Sequence, residues 1–218
     1  MYLAIGDVHG RTFWKKHLSE DFTEFYILGD YFDGYTTDFS GEYKNFKEIC
    51  SAARSDERIK LCIGNHDYHY LSGIIPQRYS RFQQKHYRAI NEILEENIDM
   101  LKVVYIAKNE YIVSHAGLSA TFLKKMKDDY GVKEIEDINS VFIHNRNILT
   151  FNGFNIYGDD ATQSPIWIRP PSLLKDPAPE FNQITGHTQF PKISGAISAT
   201  GTKIIFIDTG ERESIYEF

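Results

Sequence analysis

Apolar and polar residues in the first third of the chain fall into blocks that read β-α-β-α-β. Tyr2-Leu-Ala-Ile5, Phe25-Tyr-Ile-Leu28 and Ile59 to Ile63 are short apolar runs bounded by turn residues, as buried strands are. Thr12 to Glu20 predicts a short helix between the first two. Glu42 to Arg54 predicts another, with Phe46, Ile49, Cys50 and Ala53 at helical spacing. This order predicts parallel strands joined by right-handed crossovers, with ligands outside the strands' carboxyl ends.

Further along, Tyr68 to Ser80 carries Gly73 and Pro76 and reads as an irregular connection. Arg81 to Ile98 predicts a helix with Phe82, Ile90, Ile93, Leu94 and Ile98 on one side. Leu101 to Ala107 and Tyr111 to Val113 alternate as a hairpin turning near Lys108-Asn109. Thr121 to Asp129 and Glu134 to Leu149 predict helices. From Thr150 the composition turns to Asn, Gly, Pro and aromatic residues, and the prolines of Ser164 to Pro171 argue against a regular element. Asn182 to Thr185 predicts a strand, and Lys192 to Ala199 with Lys203 to Asp208 a hairpin about Thr200-Gly201. Ser214 to Phe218 adds an edge strand. A β-rich second half implies a second sheet packed on the first.

Composition sharpens this picture only in places. A chain of 218 residues suits one α/β domain over 1–218, and 42% hydrophobic with 14% aromatic residues excludes a disordered chain. The net charge of -6 argues against a nucleic-acid partner, which favours a basic stripe. No apolar run approaches the ~20 residues that span a bilayer. The first strand begins at Tyr2 and a candidate ligand follows at Asp7, leaving no room for a secretory leader. Cys50 and Cys62 make no disulfide framework, so the cytoplasm is the expected location.

The polar residues at the strand ends carry the chemistry. Strand one runs into Gly6-Asp7-Val8-His9-Gly10, strand two into Gly29-Asp30-Tyr31-Phe32-Asp33, and strand three into Gly64-Asn65-His66-Asp67. Later strands end in Ser114-His115-Ala116-Gly117 and Gly186-His187-Thr188. Asp, Asn and His are hard or borderline donors that suit Mn²⁺, Fe or Zn²⁺, and cysteine ligands are missing. The strand-end donors Asp7, His9, Asp30, Asn65, His66, His115 and His187 are too many for one ion. Two ions sharing a carboxylate use six and leave a histidine for proton transfer. Paired ions ~3.5–4 Å apart clamp the attacking and leaving oxygens in displacement at phosphorus.

These five blocks, in this order from residue 6 to residue 188, resemble the calcineurin-like metallophosphoesterase superfamily, and within it the small bacterial and phage phosphoprotein phosphatases. The resemblance implies a four-layer α/β/β/α sandwich with two packed mixed sheets. It implies two divalent ions, Mn²⁺ foremost, with Asp7 and His9 on one, Asp30 bridging, and Asn65, His115 and His187 on the other. A metal-bridging hydroxide would attack the phosphoester while His66, oriented by Asp33, protonates the leaving oxygen. One departure stands out. Protein phosphatases of this group commonly carry a phosphate-gripping arginine after the second motif, where this chain has Gly34. Arg169, in Trp167-Ile168-Arg169, and Arg11 are the candidate replacements. The implied substrate is a phosphorylated protein or a small phosphoester, with a bis(nucleosyl) polyphosphate as the alternative. A catalytically idle phosphate- or partner-binding module is the reading from another class. Asp67 reads as a loop-stabilising residue and Asp208 as a turn former.

Overall fold

The computed structural model describes residues 1–75, 81–152, 155 and 157–218. Strands β1 (Tyr2–Ile5), β2 (Glu24–Ile27) and β3 (Ile59–Cys62) lie parallel in that order. Their crossovers are a 3-10 turn at Phe13–His17, where a longer helix was expected, and helix α1 (Phe39–Ser55). Asp38 starts α1 by accepting the Gly41 amide at 2.9 Å, a helix N-cap. Side chains alternate across the strands. Leu3, Ile5, Phe25 and Ile27 join Phe46 and Ile49 of α1 in one core, whereas Ala4, Tyr26 and Leu28 face the other sheet.

Helix α2 (Asn65–Tyr68) follows β3 directly. The helix expected over Arg81 to Ile98 is shorter: a 3-10 turn at Gln84–His86 leads into α3 (Tyr87–Glu95). Arg81 has φ +70°, which a right-handed helix does not accommodate. Pro76 and its neighbours in the expected irregular connection lie outside the described residues.

The strand expected over Leu101 to Ala107 is divided between two sheets. Strand β4 (Leu101–Lys102) pairs parallel with β3, while β5 (Val104–Ala107) pairs antiparallel with β6 (Tyr111–Ser114) in the second sheet. At the switch, Asn139 Oδ1 accepts the amides of Val103 and Val104 at 2.8 and 3.1 Å. Helix α4 (Ala120–Tyr130) comes next. The helix expected over Glu134 to Leu149 is α5 (Asp137–His144) plus a 3-10 turn at Arg146–Leu149, separated by Asn145, whose φ of -142° breaks it. Helix α6 (Pro170–Lys175) begins on the prolines that argued against an element, because the first helical turn needs no amide donors there.

Strands β7 (Asn182–Thr185), β8 (Ser194–Ile197) and β9 (Lys203–Phe206) complete the second sheet in the order β5-β6-β7-β9-β8, with β6, β7 and β9 parallel. Strand β10 (Ile215–Glu217) leaves that sheet and pairs antiparallel with β1. Val113, Ile184 and Ile205 meet Ala4, Tyr26 and Leu28 between the sheets, and helices cover the outer faces, giving the expected two-sheet sandwich. No helix among the described residues is long and apolar enough to cross a membrane.

Candidate active site

The parallel strands of both sheets end along one rim, and the turns beyond them supply the polar residues of a cleft of about 410 Å³. Asp7 and His9 follow β1, Asp30 and Asp33 follow β2, Asn65 and His66 follow β3, and His187 follows β7; all line it. His115, beyond β6, is fully buried behind them, with Nε2 3.0 Å from Asn65 Oδ1 and 3.5 Å from Asp30 Oδ2. The backbone at His9, Asp30, Asp33 and His187 lies in the left-handed region, with φ of 45°, 51°, 62° and 60°. Such conformations cost about 1–3 kcal/mol each and collect where geometry serves function.

The histidines are oriented by carbonyls. His9 Nδ1 donates to Phe32 O and His115 Nδ1 to Leu28 O, each at 2.7 Å. A carbonyl only accepts, so each ring carries a proton on Nδ1 and faces Asp30 with Nε2, the nitrogen that a neutral imidazole offers to a metal ion. His187 Nε2 is buried with no hydrogen-bond partner among the described residues. Burial pushes the Asp30 carboxyl well above its usual range, His66 opposes this, and Asp7 and Asp67 add to it. Burial likewise lowers His9 to about 4 against the pull of Asp7, and lowers His187. Lone pairs and carboxylates facing one another without a proton between them are costly, and a divalent cation resolves that conflict. The ligand atoms of Asp7, Asp30 and His115 lie within 4.8 Å of one another. A Cβ at Gly64 would collide with Asp30 Oδ1, so that residue must be glycine for the carboxylate to sit where it does.

His66 stands at the edge of this group, and its Nδ1 donates to Asp33 Oδ2 at 3.0 Å. Burial alone would lower its pKa, but Asp30 and the Asp33 hydrogen bond outweigh this and raise it. Burial would raise Asp33, yet bonds from His66, His69 and Tyr70 hold it well below the usual carboxylate range. Asp67 accepts the amides of Asp30, Tyr31 and Gly64 at 2.8–2.9 Å, tying the second and third strand-end turns together as a loop-stabilising residue does.

The two candidate arginines part company. Arg11 folds back, donating from Nε to Val8 O at 3.0 Å and from Nη2 to Asp7 O, and does not line the cleft. Arg169 does line it, held by Tyr157 O at 3.0 Å and Thr188 Oγ1 at 3.1 Å. At Gly34, where an arginine is missing, Arg81 reaches in and donates to the carbonyls of Asp33 (2.8 Å) and Gly34. Its guanidinium is thereby engaged with backbone, 3.9 Å from the Tyr35 ring. Tyr31 and Phe32 pack under the loop against Phe46, but Tyr35 is 76% exposed and lines the cleft.

Asp208 is the turn former that the sequence predicts, accepting the Gly210 amide at 2.9 Å. It also follows β9 and lines the cleft; burial first and the nearby Asp7 charge second push it up to about 7. The signal that could have found it is its place at the end of a further parallel strand, the sixth that carries a polar residue to this rim. Past Phe151, Trp167 and Arg169 the cleft adjoins an apolar pocket of about 750 Å³ with Leu174, Phe190 and Phe206 in its wall.

Oxygen and imidazole donors at strand ends, an imidazole backed by a carboxylate, and a two-sheet sandwich together define a phosphoester hydrolase. The calcineurin-like phosphoesterase family model matches residues 2–205, and the chain belongs to that family. The cold-active protein-tyrosine phosphatase of a psychrophilic Shewanella superposes with a TM-score of 0.63 at 18% identity, over 95% of this chain and 70% of that one. A protein serine/threonine phosphatase from Saccharomyces cerevisiae does so with a TM-score of 0.54 at 13% identity, over 95% and 66%. At these identities the likeness is one of fold. No curated protein matches the sequence.

Proposed function

We propose that this chain is a binuclear metal-dependent phosphomonoesterase acting on phosphorylated protein side chains, serine and threonine foremost. The observation that carries the reading is the gathering of five donors around Asp30, three of them imidazoles turned inward or left bare. Asp7 and His9 would hold one ion, Asn65, His115 and His187 a second, and Asp30 both. The donors suit Mn²⁺, Fe and Zn²⁺ alike, and the family resemblance puts Mn²⁺ first. Such ions neutralise phosphoryl charge and acidify a water toward neutrality.

The protein's own groups supply the rest. With Nδ1 donating to Asp33, His66 keeps Nε2 for the proton that the leaving oxygen takes up. The planar fork of Arg169 suits phosphoryl oxygens, and Nη2 makes no hydrogen bond to a described residue. The adjoining apolar pocket supports a substrate with an organic group beyond the phosphate. The names of the two structural neighbours support a phosphoprotein. Cys50 and Cys62, both free and buried, suit a cytoplasmic protein.

The test is a panel of phosphoserine, phosphothreonine and phosphotyrosine peptides, dinucleoside polyphosphates and small phosphate esters, assayed with Mn²⁺. Fastest turnover of a phosphopeptide supports the reading; faster cleavage of dinucleoside polyphosphates replaces it with the nucleotide alternative. Failure to turn over any member points to the idle binding module. Arg169→Ala is expected to weaken inhibition by inorganic phosphate roughly tenfold to a hundredfold, the loss of a charge-assisted hydrogen bond, with no loss of metal content. Gly64→Ala is expected to displace Asp30 and weaken Mn²⁺ binding, which titration calorimetry measures, while circular dichroism shows the helices intact.

A further inference from the structure

The Asp33 carboxylate has more partners than a single histidine requires. Oδ2 accepts from His66 Nδ1 at 3.0 Å and from His69 Nε2 at 2.8 Å. Oδ1 accepts from the Tyr70 hydroxyl at 2.7 Å and from Gln83 Nε2 at 3.1 Å. A carboxylate has about four lone-pair directions. All are taken, and Asp33 is 1% exposed. The donors are fixed in turn. The His69 ring, itself 3% exposed, meets Tyr70 and Phe82 edge-on at centroid distances of 4.4 and 5.0 Å. The Tyr70 hydroxyl accepts the Gln83 amide at 2.7 Å, and Tyr70 stacks on Phe82 at 4.8 Å. None of His69, Tyr70 and Gln83 lines the cleft.

The ligand atoms of Asp33, His66 and His69 also lie close enough for an ion. Their separations of 2.8 and 3.0 Å are nevertheless those of N–H···O bonds with both protons in place. The group is therefore a clamp. A carboxylate held only by His66 could rotate about its Cβ–Cγ bond and release that ring. One held by four donors cannot turn without breaking all of them, so the imidazole keeps a single orientation.

We propose that His69 and Tyr70 are positioning residues that lock Asp33, and through it aim His66 Nε2 at the leaving oxygen, fitting this enzyme to esters of unactivated alcohols. This rests on the reading of His66 as the proton donor. An alkoxide leaving group must be protonated as the P–O bond breaks, whereas 4-nitrophenolate leaves without that help. Loss of the clamp must therefore show selectively on alkyl esters.

The test measures kcat and KM for a phosphoserine peptide and for 4-nitrophenyl phosphate with Mn²⁺, in the parent, His66→Asn, His69→Phe, His69→Gln and Tyr70→Phe. His69→Phe keeps a ring and removes the donor. It is expected to lower kcat on the peptide roughly tenfold to a hundredfold, with far less loss on 4-nitrophenyl phosphate and little change in KM. His69→Gln, which retains an N–H donor, recovers much of the loss. Tyr70→Phe shows the same selectivity to a smaller degree, and carries the test alone if His69→Phe fails to fold. Equal losses on both substrates in the clamp variants, or none, overturn the proposal while His66→Asn remains selective. Equal losses in His66→Asn instead overturn the reading of His66 itself, and the proposal with it.

Discussion

His66→Asn is expected to lower turnover of an alkyl phosphate by roughly 10²–10⁴, the range for general acid–base catalysis, with metal content close to the parent's. Asparagine approximates the size of the imidazole and offers one polar group toward Asp33, but it has no proton to give at neutral pH. The His66 backbone amide donates to Asp30 Oδ1 at 2.8 Å, and that bond survives the substitution, so Asp30 stays in place. Retention of full activity on an alkyl ester would remove His66 from the chemistry. The environment supports the role: Asp30 and Asp33 overcome burial to hold the imidazole's proton more firmly than in water. An activated leaving group hides the effect, so a nitrophenyl ester is the control and not the test.

Asp30→Asn is expected to remove both metal and activity. Asp30 faces the Nε2 atoms of His9 and His115 at 3.8 and 3.5 Å, so a single residue lies against both halves of the proposed donor set. The amide keeps an oxygen for the His66 amide bond but loses the charge. The same change is expected to make the metal-free protein melt no lower than the metal-free parent. A carboxylate buried at 2% exposure beside Asp7 and Asp67 is unfavourable without a cation, as its raised pKa indicates. Metal analysis and paired thermal melts in chelator read the two halves of this expectation. A variant that keeps parental metal content would show that Asp30 is no shared ligand.

Much of this site is legible in the chain because its donors follow apolar strands that stop at glycine. Gly6-Asp7, Gly29-Asp30, Gly64-Asn65 and Gly186-His187 announce both the strand end and the donor, and parallel pairing brings those ends to one rim. What surrounds Asp33 is not legible in the same way. Glu42 and Gln83 are 41 residues apart and meet through a 2.8 Å bond that only tertiary packing creates. Arg81 looked like the start of a helix, and nothing local says that its guanidinium turns back to the carbonyls of Asp33 and Gly34. Hydrophobic alternation over Leu101 to Ala107 reveals strand but not sheet, so it does not show the crossing at Val103. Asp208 serves as turn former and cleft residue at once, and the simpler role was the one its neighbours suggested.

Diffraction from crystals grown with Mn²⁺, recorded at the manganese absorption edge, tests the binuclear reading most directly. Two anomalous peaks are expected in the cleft, one beside Asp7 and His9 and one beside Asn65, His115 and His187, with Asp30 touching both. A single peak, or one seated among Asp33, His66 and His69, would contradict it.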